Sequence, residues 1–397
     1  MSPSPVLHGI TVLELGQIYN VPYCALLLAH LGADVIKIEP PRGEPARHRA
    51  GGQDATPFVM LNSGKRGVCI DLKTAAGREL FLRLVARADV VVENYRAGTL
   101  ERLGLGSAVL RSVNPRLIVA SGRGFSSRGP RGSLAAMDLT VQAMTGVMAS
   151  TGFADQPPVK AGPAIADFLG GVHLLAAILA ALLQRERTGT GQQVEVAMQD
   201  ALLPALASNL SALMDSRGSL PERTGNRHGG LALCPYNTYP ARDGWVAIFC
   251  ATDRQWLSLC RVLERPDLVE DPALRTNPGR AQRMAEIDAI VGDWTSARTR
   301  EESLAVLGAA GIPAAPVLAL GELVDDPQIE ASGMLRSVDH PRRGPVRVFG
   351  NPLNLSDSPH QALAPAPGLG EHTRAVLRER LGLSEAEIDD LAAQGAI

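Results

Sequence analysis

Between Ile10 and Asp200 the chain alternates between two hydrophobic periods, and this alternation restricts the fold more than any other feature. Residues 10–15, 35–38, 68–70, 90–92 and 117–120 are short apolar runs of strand length. Helical spacing separates them at residues 22–31, stopped by Gly32, at residues 75–88, and near Leu100. Strand and helix in turn imply an α/β fold, a parallel sheet covered by helices. An apolar helix is expected over residues 172–187, with Arg185 and Arg187 in its last turn and Gly189 and Gly191 to stop it. A returning strand at 193–196 and a helix near Asp200 follow.

At 397 residues the chain exceeds what one core usually serves, so two domains are expected. Residues 1–215 read as the large domain. Residues 216–230, rich in Gly, Arg, Pro and Asn, read as a linker or binding loop. Residues 225–319 read as a smaller α+β domain and 320–397 as a linker and return to the large domain. Within that return, 323–352 is expected to be irregular and 370–396 to form two short helices packed back on the large domain.

The formal net charge of −2 carries no basic excess, which argues against a nucleic-acid partner. Five cysteines, an odd number without a CxxC pair, fit reduced thiols in a cytoplasmic compartment better than disulfides or zinc. Residues 1–8 lack a signal-peptide pattern, and the apolar stretch 172–183 falls short of the ~20 residues that span a bilayer. A buried helix, and no membrane partner, is the expectation.

Familiar nucleotide and hydrolase motifs fail on inspection. Residues 10–39 have a dinucleotide-site layout ending in Glu39, but the turn Gly16-Gln17-Ile18-Tyr19-Asn20-Val21-Pro22 lacks the glycines that let a pyrophosphate approach. Gly64-Lys65-Arg66 lacks the Ser or Thr of a phosphate loop, and Gly124-Phe125-Ser126-Ser127-Arg128 lacks the second Gly of a nucleophile elbow. No His pair has metalloprotease spacing, so no metal is expected. Asp167 stands out, because it precedes the apolar helix, whose N-terminal N–H groups and dipole would keep a carboxylate ionised. The simpler reading is an N-cap. Gly170 and Gly171 weaken it, since they would spoil the first turn and leave open space beside the carboxylate.

Longer motifs now accumulate in order: Leu31-Gly32-Ala33-Asp34-Val35-Ile36-Lys37-Ile38-Glu39, Asn62-Ser63-Gly64-Lys65-Arg66, Ile70-Asp71-Leu72-Lys73 and Glu93-Asn94-Tyr95-Arg96-Ala97-Gly98. Gly129-Pro130, Asp138 with Gln142-Ala143, Thr151-Gly152-Phe153, Asp167, Thr188-Gly189-Thr190-Gly191-Gln192-Gln193, Met198-Gln199-Asp200-Ala201 and Gly370-Glu371-His372-Thr373 continue the series. Together they resemble the class III CoA-transferases, the family of formyl-CoA transferase, over nearly the whole chain. The resemblance implies a Rossmann-like large domain completed by the C-terminal tail, a smaller inserted domain, and a homodimer of two interlocked subunits.

It also implies an enzyme that moves coenzyme A from an acyl-CoA donor, succinyl-CoA being a candidate, to a small carboxylic or dicarboxylic acid. CoA and acyl-CoA are then substrates, and no cofactor is tightly bound. The family's aspartate nucleophile falls on Asp167. Its CoA contacts fall on Ile18, Tyr19, Leu72, Lys73, Asn94, Tyr95 and Arg102, with Met137 and Asp138 at the acyl end. Gly229 and Gly230 are candidates by position for oxyanion donors, a linker turn being the alternative. Pro40 stands where formyl-CoA transferase has Arg; Arg42 nearby is a candidate substitute, a missing contact being the alternative. A second substrate carboxylate would need a cation; Arg47, Arg49, Arg227 and His228 are the candidates, solvated loop positions being the alternative. The family also holds a racemase that uses a His where Met137 stands, and a thioether cannot accept a proton. An NAD-dependent oxidoreductase lacks its glycines, and an inactive acyl-CoA-binding homologue would have little use for Asp167.

Overall fold

A computed structural model of the chain describes residues 4–51, 54–359 and 361–397. Two compact units emerge: Met1–Gln142, Pro163–Leu202 and Asp326–Ile397 form one, Ala143–Gly162 and Leu203–Asp325 the other.

In the first unit six strands form one sheet: β1 (Thr11–Leu15), β2 (Asp34–Glu39), β3 (Arg66–Cys69), β4 (Val90–Glu93), β5 (Ile118–Arg123) and β6 (Gln193–Ala197). Their order is β3-β2-β1-β4-β5-β6 and every neighbouring pair is parallel, as the alternating pattern requires. Because side chains alternate across a strand, the sheet feeds two cores. Leu13, Leu15 and Val91 face one, with Leu80, Phe81 and Leu84 of the Ala75–Val85 helix. Val12, Val90 and Val92 face the other, with Leu27 and Leu28 of the Asn20–His30 helix. The order reverses between β1 and β4, so the loops leaving their C-terminal ends diverge and open a crevice, where ligands of such sheets bind.

The chain's last helices, Thr373–Leu381 and Glu385–Ala393, add Val376, Leu377 and Ile388 to the first core. Cys69 N–H donates to Thr373 Oγ1 at 3.0 Å and Asp71 N–H to the Ala396 carbonyl at 2.8 Å.

Two expectations are corrected. The apolar helix runs over Ile165–Thr188, ending at Gly189 with φ +74°, and so begins well before residue 172. It continues straight through Gly170 and Gly171, which leave no open space. A Cβ on Gly170 would lie 2.3 Å from Asn20 Nδ2, and one on Gly171 2.7 Å from the Asn20 carbonyl oxygen. The glycines are there because the start of the Asn20–His30 helix packs directly against this backbone. Gly171→Ala must displace main chain and is expected to destabilise the fold by about 1–3 kcal/mol, read as a lower chemical-denaturation midpoint. At 24 residues the helix is long and apolar enough to cross a membrane by length and composition. Its inner stripe, Leu174, Leu175, Ile178 and Leu182, is buried in the second core.

The second correction concerns 323–352, which is not irregular. It holds the antiparallel hairpin Leu335–His340 with Gly344–Phe349, turned at Gly344 with φ +68°. The strand signal was a short alternation, Val346-Arg347-Val348, with only Val348 fully buried, too brief to rise above the surrounding Pro and Gly.

The second unit holds an antiparallel three-stranded sheet, β7 (Tyr236–Ala241), β8 (Gly244–Phe249) and β9 (Ala314–Pro316). Helices Asp253–Val262, Met284–Ser296 and Arg300–Ala309 pack on it around Tyr239, Val246, Trp256, Leu259 and Val291.

Candidate active site

The turn after β1 is built by enforced contacts. A Cβ on Gly16 would collide with Val21 at 2.4 Å, so only glycine fits. Ile18 adopts φ +66°, a left-handed conformation that costs a β-branched residue about 1–2 kcal/mol. The Glu44 carboxylate holds it there by accepting the Ile18 N–H at 3.0 Å. Asn94, at the end of β4, works like a strand partner: it accepts the Gln17 N–H at 2.8 Å and donates to the Gln17 carbonyl at 2.9 Å. The two loops that border the crevice are therefore stitched together. Beside them the Tyr95 carbonyl accepts from Arg123 at 2.7 Å and its N–H donates to Glu93 at 2.7 Å.

Asp167 lies in the first turn of the Ile165–Thr188 helix, 7% exposed. It is not the N-cap; the helix has no side-chain cap from its own Ncap residue, Ala164. Asp138 takes that role from a distance, its Oδ1 accepting the N–H of Ala166 at 2.9 Å and of Asp167 at 3.4 Å. Gln142 donates to the other Asp138 oxygen at 2.7 Å. The N–H groups expected to face Asp167 at the helix terminus thus donate to Asp138 instead. Burial, and then the nearby Asp138 charge, push the Asp167 carboxyl from 3.8 up to about 7, with Arg49 pulling the other way. The main-chain carbonyl of Asp167 accepts from Asn20 Nδ2 at 3.0 Å, which ties the helix start to the turn after β1.

Next to Asp167, the Phe168 ring stacks on Tyr19 at 6.1 Å and meets Tyr23 edge-on at 4.8 Å. Ile18, Tyr19, Asn94, Tyr95, Asp138 and Asp167 all belong to the first unit and are linked through these contacts. Met137, directly before Asp138, is 51% exposed. Lys73 and Arg102 are exposed beyond the ends of β3 and β4, and Arg102 donates to Thr99. The Leu72 side chain, however, is buried in the first core, so only its main chain can meet a ligand. Gly229 and Gly230 lie in the second unit, where the Gly230 N–H donates to His228 Nδ1 at 3.1 Å. Among the described residues no cluster of three or more His, Cys, Asp or Glu side chains is placed to hold a metal.

Three of the four candidate cations are engaged elsewhere. Arg47 is buried, bonded to both Glu39 oxygens at 2.8 and 2.6 Å, to Asp54 and to the Pro367 carbonyl, and its guanidinium lies 3.9 Å from the Phe58 ring centre. Arg227 pairs with Asp288 at 2.7 Å. His228 accepts the Gly230 N–H. Arg49, in the same unit as Asp167, lies within reach of its surroundings and donates to Tyr19 Oη at 2.9 Å. Sequence reasoning missed Asn20, Gln142 and Glu44 as positioning groups. A polar residue opening an otherwise apolar helix was the available signal for Asn20; Glu44 gave none, because its contact spans 26 positions.

The sequence model of CoA-transferase family III matches residues 7–373. The formyl-CoA:oxalate CoA-transferase of Streptomyces coelicolor is 36% identical, covering 98% of this chain and 99% of its own length. The succinyl-CoA:mesaconate CoA-transferase of Haloarcula hispanica is 38% identical, covering 97% and 99%. A crystal structure of a CAIB/BAIF family protein from Brucella suis superposes with a TM-score of 0.83 at 36% identity, covering 96% of this chain and all of that one. The chain is an enzyme and belongs to CoA-transferase family III.

Proposed function

We propose that the enzyme moves coenzyme A from an acyl-CoA donor, such as succinyl-CoA, to a small carboxylic or dicarboxylic acid through covalent intermediates on Asp167. The Asp167 carboxylate attacks the donor thioester carbonyl, and the C–S bond breaks to give a mixed anhydride and CoA thiolate. The thiolate then attacks the aspartyl carbonyl, releasing the donor acid and leaving an aspartyl-CoA thioester. The acceptor carboxylate attacks that thioester and the thiolate returns to the acceptor's carbonyl, which regenerates Asp167. Each step is easier than direct exchange between two acids.

The observation that carries this reading is the buried Asp167 carboxylate, tied through its carbonyl to Asn20 and through Phe168 to Tyr19 of the turn beside the crevice, where burial pushes its pKa up to about 7. A raised pKa makes the carboxylate a stronger nucleophile while about half remains ionised at neutral pH. Ile18, Tyr19, Asn94, Tyr95 and the main chain of Leu72 would line the CoA site, with Lys73 and Arg102 toward its phosphates. Gly229 and Gly230 stay candidates for oxyanion donors; the Gly230 N–H would have to leave His228 to serve. The relatives' names support the substrate class, since oxalate and mesaconate are both dicarboxylates. Met137 offers no second base beside Asp138, which favours transfer over racemisation. The reading includes an interlocked homodimer, as the family resemblance implies.

Hydroxylamine trapping tests it. Incubation with succinyl-CoA and hydroxylamine should add about 15 Da to the Asp167 peptide, the mass of a hydroxamate formed from an activated carboxyl. Only the ionised form attacks, so the trapping rate should fall about tenfold per pH unit below 7 and level off above it. No adduct with any acyl-CoA that binds would overturn the nucleophile; a plateau reaching down to pH 5 would overturn the raised pKa.

A further inference from the structure

Arg49 differs from the other cations near the candidate site. Among the described residues no Asp or Glu pairs with it, although its neighbour by two positions, Arg47, is saturated by Glu39 and Asp54. Its guanidinium lies 5.1 Å from the Tyr19 ring centre and donates one N–H to Tyr19 Oη, while Tyr19 stacks on the Phe168 ring. That hydrogen bond uses one of five donors of a planar fork built to grip carboxylates. The stack on Tyr19 fixes where the fork points without neutralising it. Its charge also reaches Asp167, lowering that carboxyl's pKa against burial. An exposed arginine in water needs no partner, but one oriented by an aromatic ring and coupled to the candidate nucleophile has a charge available there for an anion.

We infer that Arg49 grips the distal carboxylate of a dicarboxylate substrate, making the enzyme selective for short dicarboxylic acids over monocarboxylic acids of the same length. This inference rests on the proposed transfer reaction and narrows its acceptor. The acid's reacting carboxylate would meet the aspartyl-CoA thioester at Asp167, and its other end would meet the guanidinium. Tyr19 then holds the cation in place as a positioning residue.

The test uses succinyl-CoA as common donor with isotope-labelled succinate or butyrate as acceptor. Butyrate has a methyl group where succinate has its second carboxylate. The labelled CoA ester is quantified by mass spectrometry. The wild type should prefer succinate in kcat/KM. Arg49→Gln should shrink that preference about 10–100-fold, the strength of a charge-assisted pair, mainly by raising the KM for succinate. Any effect on the donor step is common to both acceptors and cancels in the ratio. Arg49→Lys should restore part of the preference through charge alone, and shows that the position tolerates change. Equal use of both acids by the wild type, or an equal loss with both in Arg49→Gln, overturns the inference. So does Asp167 hydroxamate without transfer to succinate. Absence of both transfer and hydroxamate would instead overturn the proposed reaction itself.

Discussion

Asp167→Asn is expected to abolish CoA exchange and at the same time to stabilise the protein above pH 7. The loss of activity should be on the order of 10⁴-fold or more, as when other covalent nucleophiles are removed. The gain in stability follows from the raised pKa. Below pH 3.8 the carboxyl is protonated in folded and unfolded chains alike, and contributes nothing. Between 3.8 and about 7 the folded chain retains a proton that the unfolded chain has lost, so stability falls as pH rises. Above 7 the full penalty persists, with a ceiling on the order of 4 kcal/mol at about 1.4 kcal/mol per pH unit. Asparagine is neutral throughout and avoids the penalty. The melting temperatures of variant and wild type should therefore nearly coincide at pH 4, diverge up to pH 7 and run parallel beyond, with the variant higher. Exchange close to the wild-type rate would place the nucleophile elsewhere. A variant no more stable at pH 8 than the wild type would mean that the buried carboxylate is not under strain.

How much of this could be read beforehand depended on the range of each interaction. Strands and helices of the large sheet were legible because burial on both faces writes itself as apolar runs such as Val90-Val91-Val92, separated by helical spacing. Asp167 was legible as a residue to watch, but its setting was not. The sequence suggested an anion stabilised by a helix terminus and relieved by two glycines. In the fold, Asp138 occupies that terminus from 29 positions away, and the glycines admit the Asn20–His30 helix rather than a ligand. Both differences reverse the electrostatics, turning an ordinary ionised carboxylate into one held near pH 7. The four arginine and histidine candidates likewise looked equivalent. Only tertiary contacts separate Arg47, sealed among acids, from Arg49, which keeps its charge free of acidic partners among the described residues. Local patterns report what a segment buries; they are silent about which distant side chain meets it.

Glu14→Gln should be the most damaging single change away from Asp167, costing about 3–5 kcal/mol. Glu14, on β1, is fully buried and pairs with two fully buried cations, Lys37 at 3.3 Å and Lys65 at 2.8 Å. Neutralising it removes the ion pair of Lys65 and leaves Lys37 paired with Glu44 at 3.3 Å. Uncompensated charge in a dry interior is far more costly than a broken surface pair such as Arg265–Asp267, whose loss should barely move the melting temperature. The pH dependence identifies the cause. Burial already lowers the Lys65 pKa from 10.5 to about 8, against the pull of Glu14. A folded-state pKa below the unfolded one means that the unfolded chain binds more protons between 8 and 10.5, so this group's penalty shrinks as pH rises through that window. In Glu14→Gln the Lys65 pKa drops further, and the variant should regain stability relative to wild type as Lys65 sheds its proton. The site should suffer too. Lys37 donates to the Gly16 carbonyl at 2.9 Å and Lys65 to the Pro22 carbonyl at 2.9 Å, the two ends of the turn that presents Ile18, Tyr19 and Asn20. Hydroxamate formation at Asp167 should therefore slow even at temperatures where the variant remains folded. A variant that melts within a degree of the wild type at pH 7 would show that water or a rearranged partner solvates the two lysines, and that the buried network does not hold the turn.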